Sequence, residues 1–77
     1  MTKETRRNLT EAKNKLLEIT GQLNGIREEL QTEFDNLSSS WQQSGHGDAL
    51  QERITALEEL HDTLQSAAAD LEEIINY

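Results

Sequence analysis

Apolar residues recur through the first half of the chain at Leu9, Ala12, Leu16, Ile19, Leu23, Ile26, Leu30 and Leu37. The steps alternate three and four, broken only where Glu33 takes an apolar place. A seam of this period, sustained over about four heptads, predicts one long amphipathic helix. Phe34 and Trp41 stand one position off the strict heptad. Eighteen residues make about five whole turns of a straight helix. Phe34 follows Leu16 by that interval, and Trp41 follows Leu23 by it. Both aromatics are therefore expected on the same stripe, and the helix is expected over about residues 5–42. Its start falls between Thr2 and Asn8, each a plausible cap.

A second stripe runs through Leu50, Ile54, Leu57, Leu60, Leu64, Ala67 or Ala68, Leu71, Ile74 and Ile75. Between the two stripes lies Leu37-Ser-Ser-Ser-Trp41-Gln-Gln-Ser-Gly45-His-Gly47-Asp48. The serines weaken the helix, and Gly45 is expected to end it. Asp48 with Gln51 has the spacing of a capping box. The turn is thus expected at about 43–47 and the second helix at about 48–76.

Two helices joined by so short a link pack antiparallel. A turn centred between Ser44 and Gly45 sets residue i level with about 89 − i. On that register Gly21 lies beside Ala68 and Gly25 beside Leu64. Each glycine costs roughly 1 kcal/mol of helix stability relative to Ala. Either the pair is exposed and tolerated, or Gly21, Gly25 and Ala68 form a narrow waist where another helix approaches. The same register leaves residues before about Lys13 overhanging.

A pair of helices does not bury two full stripes. The expected architecture is all-α: an antiparallel helix-turn-helix hairpin that dimerises into a four-helix bundle. The interface and core positions are Leu16, Ile19, Leu23, Ile26, Leu30, Phe34 and Leu37 in the first helix. In the second they are Ile54, Leu57, Leu64 and Leu71.

Composition narrows the reading. Seventy-seven residues make a single domain spanning 1–77. With 34% hydrophobic and 4% aromatic residues the core is thin. A domain of this size rarely gains more than roughly 3–5 kcal/mol from its core alone. Cysteine is absent and His46 and His61 are the only histidines, so neither a disulfide framework nor a closed zinc site is expected. Association is the remaining way to stabilise the fold. The formal net charge is −8. Up to Ser40 there are six bases and seven acids, and from Asp48 onward one base and eight acids. The acidic second half argues against nucleic acid and against anionic membrane surfaces. No apolar run approaches the ~18 residues of a membrane span, and the first residues do not form a secretory signal.

Enzyme chemistry is not suggested. None of the serines sits in a nucleophile elbow, and Gly45-His46-Gly47 lacks the lysine and strand of a phosphate loop. Glu58, Glu59, Glu72 and Glu73 read as solvated faces. His61 falls beside the second seam as a half-buried packing residue, and His46 is expected to be exposed. No catalytic residue, metal or cofactor is expected.

A long helix, a Trp-bearing turn and an acidic second helix, in a short chain without cysteine, resemble the WXG-100 (ESAT-6-like) superfamily. The resemblance spans the whole chain. It is carried by Leu37-Ser-Ser-Ser-Trp41 before the turn and by Ala49-Leu50 opening the second helix. Where the family has Trp-x-Gly, this chain has Gln43 two after Trp41, and the glycines follow at Gly45 and Gly47.

The resemblance implies a non-enzymatic protein of a type VII secretion system. It would leave the cell folded, by a route independent of a signal peptide, after a cytoplasmic stage. It implies pairing with itself or a paralogous hairpin, or with the helical N-terminal domain of a larger secreted toxin, and engagement of a membrane ATPase. Trp41, Gly45 and Gly47 would form the recognition turn, with Trp41 either sealing the core or presented to the machine. The family's export signal is Tyr-x-x-x-Asp/Glu. Tyr77 matches its first residue, and the acidic residue would come from further chain or from a partner. The alternative is a structural helical-hairpin module unrelated to secretion, which would share the stripes without needing Trp41.

Overall fold

Thr2 opens the first helix. Its backbone is extended and its Oγ1 accepts the Thr5 N–H at 3.1 Å, so one of the free donors of the first turn is satisfied. The computed structural model describes all residues, Met1–Tyr77. It is all-α, with α1 over Lys3–Asp35, a single turn α2 over Ser39–Gln42, and α3 over Gly45–Ile75.

The first helix ends seven residues earlier than its stripe predicts, because serine interrupts it. Ser38 is extended (φ −64°, ψ 160°), and its side chain accepts the Trp41 N–H as the cap of α2. The carbonyls left open at the end of α1 are taken up locally. Asn36 donates its N–H to the Thr32 carbonyl at 3.0 Å. The Phe34 carbonyl accepts both the Leu37 N–H at 3.0 Å and Gln42 Nε2 at 3.1 Å.

Ser44 repeats the device six residues later. It is extended (φ −83°, ψ 172°) and its Oγ accepts the Gly47 N–H. Gly45 therefore begins α3 rather than ending α1. Asp48 is not the cap: it lies in the first turn of α3 and donates its N–H to the Ser44 carbonyl. Its carboxylate there suits the positive end of the helix.

α1 and α3 lie antiparallel in a rod of 58 × 14 × 12 Å. The Lys13 ammonium sits 2.6 Å from Glu72, and Gln31 shares a hollow with Ile54. Residue i of α1 thus faces about residue 85 − i of α3, not 89 − i. The early end of α1 accounts for the shift. It also removes most of the overhang: Lys13 is engaged, Leu9 is half-buried, and Ile75 is buried at the open end.

On α1 the positions facing α3 are Leu9, Lys13, Leu16, Thr20, Leu23, Arg27, Leu30 and Phe34, with Leu37 just beyond its end, all buried or half-buried. On α3 they are Gly47, Leu50, Ile54, Leu57, His61, Leu64, Ala68, Leu71 and Ile75. Both series step by three and four, as in a coiled coil. Six residues in all are buried, four of them apolar side chains, so the hairpin has a thin core.

Candidate functional site

Three of the eight inner-seam positions of α1 are polar. Every second position carries Lys13, Thr20, Arg27 or Phe34. Thr20 is 4% exposed, and its hydroxyl donates to the Leu16 carbonyl at 2.7 Å, so nothing polar is left unpaired there. The better hydrophobes sit beside it and face outward. Ile19, Ile26, Leu60 and Ile74 are each 44–47% exposed.

These four share one flank of the hairpin. The opposite flank is marked by two hollows. One is lined by Lys13, Leu17, Gln65, Ala68 and Glu72 among others, the second by Gln31, Phe34, Gln51, Ile54 and Glu58. On α1, Leu17 and Gln31 stand one residue after a seam leucine, whereas Ile19 and Ile26 stand four before one. At about 100° per residue those offsets fall on opposite sides of the seam. The same holds on α3, with Gln51, Glu58, Gln65 and Glu72 to one side and Leu60, Ala67 and Ile74 to the other. One flank is thus polar apart from Leu17, and the other is apolar from Ile19 to Ile26 on α1 and from Leu60 to Ile74 on α3, beside the half-buried Leu16, Leu23, Leu30, Leu57, Leu64 and Leu71, with Glu33 and Arg53 closing it toward the tip.

The narrow waist is not formed within the chain. Gly21 is exposed, and a Cβ built on Gly21 or Gly25 meets nothing within 4 Å. On the observed register Gly21 lies level with Leu64, while buried Ala68 lies opposite Leu17. Gly25 instead floors a shallow hollow on the outer side of α1, lined by Ile19, Gln22, Leu23, Ile26 and Glu29.

At the tip, Trp41 does not seal the core. It lies in α2, off the α1 stripe, and is 58% exposed. Its ring stands edge-on to exposed His46 with centroids 6.2 Å apart. Gly47 holds this corner together. It is buried, and a Cβ there would overlap the Gln42 backbone and the Trp41 carbonyl. α3 therefore crosses α2 backbone against backbone, a contact open only to glycine. Gly45 has open space around it. Tyr77 is fully exposed at the other end of the rod.

One ion pair, Lys13 with Glu72, joins the two helices across the seam. The Glu72 carboxyl is held below its ordinary pKa, first by the hydrogen bond from Lys13, then by that from Asn76, with the Lys13 charge adding to both. No three His, Cys, Asp or Glu side chains are grouped so as to hold a metal. No helix is long and apolar enough to cross a membrane. The hollow over the first half of α3 is lined mainly by polar side chains, Asp48, Gln51, Glu52, Thr55 and Glu59.

Fold and surface together define an all-α antiparallel helical hairpin with one apolar flank and an aromatic tip. No protein-family model, no curated protein and no solved structure matches the chain.

Proposed function

We propose that this chain is a non-enzymatic interaction module that works by pairing, its apolar flank covered by a second helical hairpin to give a four-helix bundle. The observation that carries the reading is the one-sidedness of the surface. Ile19, Ile26, Leu60 and Ile74 stand half-exposed along one flank, while the other is polar apart from Leu17. Contiguous apolar surface on a small chain marks a contact site, and the six-residue core leaves the lone hairpin little stability of its own. Sedimentation at micromolar concentration tests this, alone and with candidate hairpins encoded nearby. A dimer or a stable mixed pair is expected. A well-folded monomer that binds none of them would overturn it.

The setting we propose is type VII secretion, as an exported folded dimer or as the adaptor of a larger effector whose N-terminal domain is helical, engaging the membrane ATPase of that system. What favours it is Trp41, which stands more than half exposed at the tip. An unrelated structural hairpin has no need of an indole there. Export of tagged protein with and without Trp41→Ala is the test: unchanged export would remove the support for this setting.

A further inference from the structure

We infer that Asn24 and Gly25 form a self-modifying site, where the chain slowly converts its own Asn24 amide to an aspartyl or isoaspartyl residue with the help of Arg27. The inference does not depend on any partner. Of the asparagines in the chain, Asn24 alone precedes a glycine; Asn8, Asn14, Asn36 and Asn76 precede Leu, Lys, Leu and Tyr. Glycine has no Cβ to hold its nitrogen away from the side chain before it. The Gly25 nitrogen is therefore the least hindered main-chain nucleophile beside an asparagine carboxamide.

The electrophile is already engaged. Arg27 donates its Nε–H to Asn24 Oδ1 at 3.3 Å. The Arg27 guanidinium is about one-quarter exposed, and its ion-pair partner Glu28 stands off at 3.9 Å. Its hydrogen bond draws charge from Asn24 Cγ and meets the negative charge that Oδ1 gains on attack, the role of a donor at an oxyanion. The Gly25 nitrogen gives its proton to hydroxide and bonds to Asn24 Cγ. The bond from Cγ to the amide nitrogen breaks, and that nitrogen takes a proton from water and leaves as ammonia. A second water opens the cyclic imide. Attack at the side-chain carbonyl gives aspartate, and attack at the main-chain carbonyl gives isoaspartate. No oxidant or reductant enters. The isoaspartyl product puts an extra main-chain carbon into α1 between Leu23 and Ile26, which breaks the helical ladder there.

One hydrogen bond restrains the reaction. Within α1 the Gly25 N–H is committed to the Gly21 carbonyl, one turn back. Both ends of that bond are glycines, each costing roughly 1 kcal/mol of helix stability relative to Ala. Neither has an atom within 4 Å of its missing Cβ, so no packing holds the turn shut from outside. Local opening of this turn frees the nucleophile while the rest of the hairpin stays folded. The flexible Arg27 side chain keeps its hold on Oδ1 through so small a movement.

The test incubates the folded chain at mildly alkaline pH and follows each asparagine by peptide mass, with the exchange rate of the Gly25 amide as a measure of opening alone. Asn24 is expected to convert about tenfold or more faster than any other asparagine, with both aspartyl and isoaspartyl products. Gly21→Ala is expected to slow conversion and Gly25 exchange together, by roughly two- to fivefold. Arg27→Met is expected to lower the ratio of conversion to exchange about tenfold, since it removes the donor and not the guard. Conversion of Asn24 no faster than that of the other asparagines overturns the site. An unchanged rate in Gly21→Ala overturns the guarding bond, and an unchanged ratio in Arg27→Met overturns the part given to Arg27.

Discussion

Lys13 and Glu72, fifty-nine residues apart in sequence, meet at 2.6 Å across the open end of the hairpin. The contact pins the register there, far from the turn that joins the helices. It also makes that end sensitive to acid. The Glu72 carboxyl is depressed by the Lys13 and Asn76 hydrogen bonds. A depressed carboxyl contributes stability that is present above its ordinary, unfolded value and lost as pH falls through the folded one. The melting temperature is therefore expected to fall on acidification below the ordinary carboxylate range, and Glu72→Gln is expected to flatten part of that slope. Thermal melts of both chains across the acid range check this. Superimposable slopes would remove Glu72 as a contributor.

Gly47 and Gly45 lie two residues apart and are expected to respond in opposite ways. A methyl on Gly47 overlaps main-chain atoms of Gln42 and Trp41, which have no side-chain freedom to move away. Gly47→Ala is expected to cost on the order of 1–3 kcal/mol, the usual penalty of overpacking a closed site. Gly45→Ala meets nothing and is expected to fall within about 0.5 kcal/mol of the parent. Urea unfolding of the two variants side by side makes the comparison.

The stripes were legible in the sequence because they are long and periodic, and the hairpin follows from them. The end of α1 was not. Phe34 and Trp41 both satisfy the straight-helix interval, and nothing in an apolar pattern shows that Ser38 will turn its oxygen onto the Trp41 N–H and stop the helix between them. The misplaced end moved the register by about four residues, so Gly21 and Ala68 never meet. Thr20 was missed for a related reason. The eye follows Ile19 and Ile26 as the core, yet the seven-residue spacing of Lys13, Thr20, Arg27 and Phe34 lies in the same stretch and marks the true inner seam.

Gly21, which lies off that seam, tests whether anything approaches α1 from outside. It is exposed, within α1, and free of contacts on its open side. Gly21→Ala is expected to stabilise the fold by roughly 0.5–1 kcal/mol, since Ala lowers the chain entropy lost on forming the helix. A loss of similar size would mean that something does approach Gly21 in solution, and the waist would return as an interface between molecules. A denaturant midpoint read at two protein concentrations tells these apart.

Ile19 and Ile26 separate folding from association. Neither faces α3, and each is close to half exposed in the lone hairpin. Replacing both with Gln is expected to leave the helical signal of the monomer intact, because Gln is a comparable or better helix former at exposed positions. Burial of an isoleucine is worth about 1.5–3 kcal/mol, so the pair is expected to weaken a dimer by at least two orders of magnitude. Leu50→Ala, at a position 2% exposed, is the contrasting variant. It is expected to cost roughly 2–5 kcal/mol in the fold itself. Sedimentation together with circular dichroism resolves the two effects. If the double Gln variant still sediments as the parent does, the apolar flank is not where the chains meet, and the reading of the whole surface fails with it.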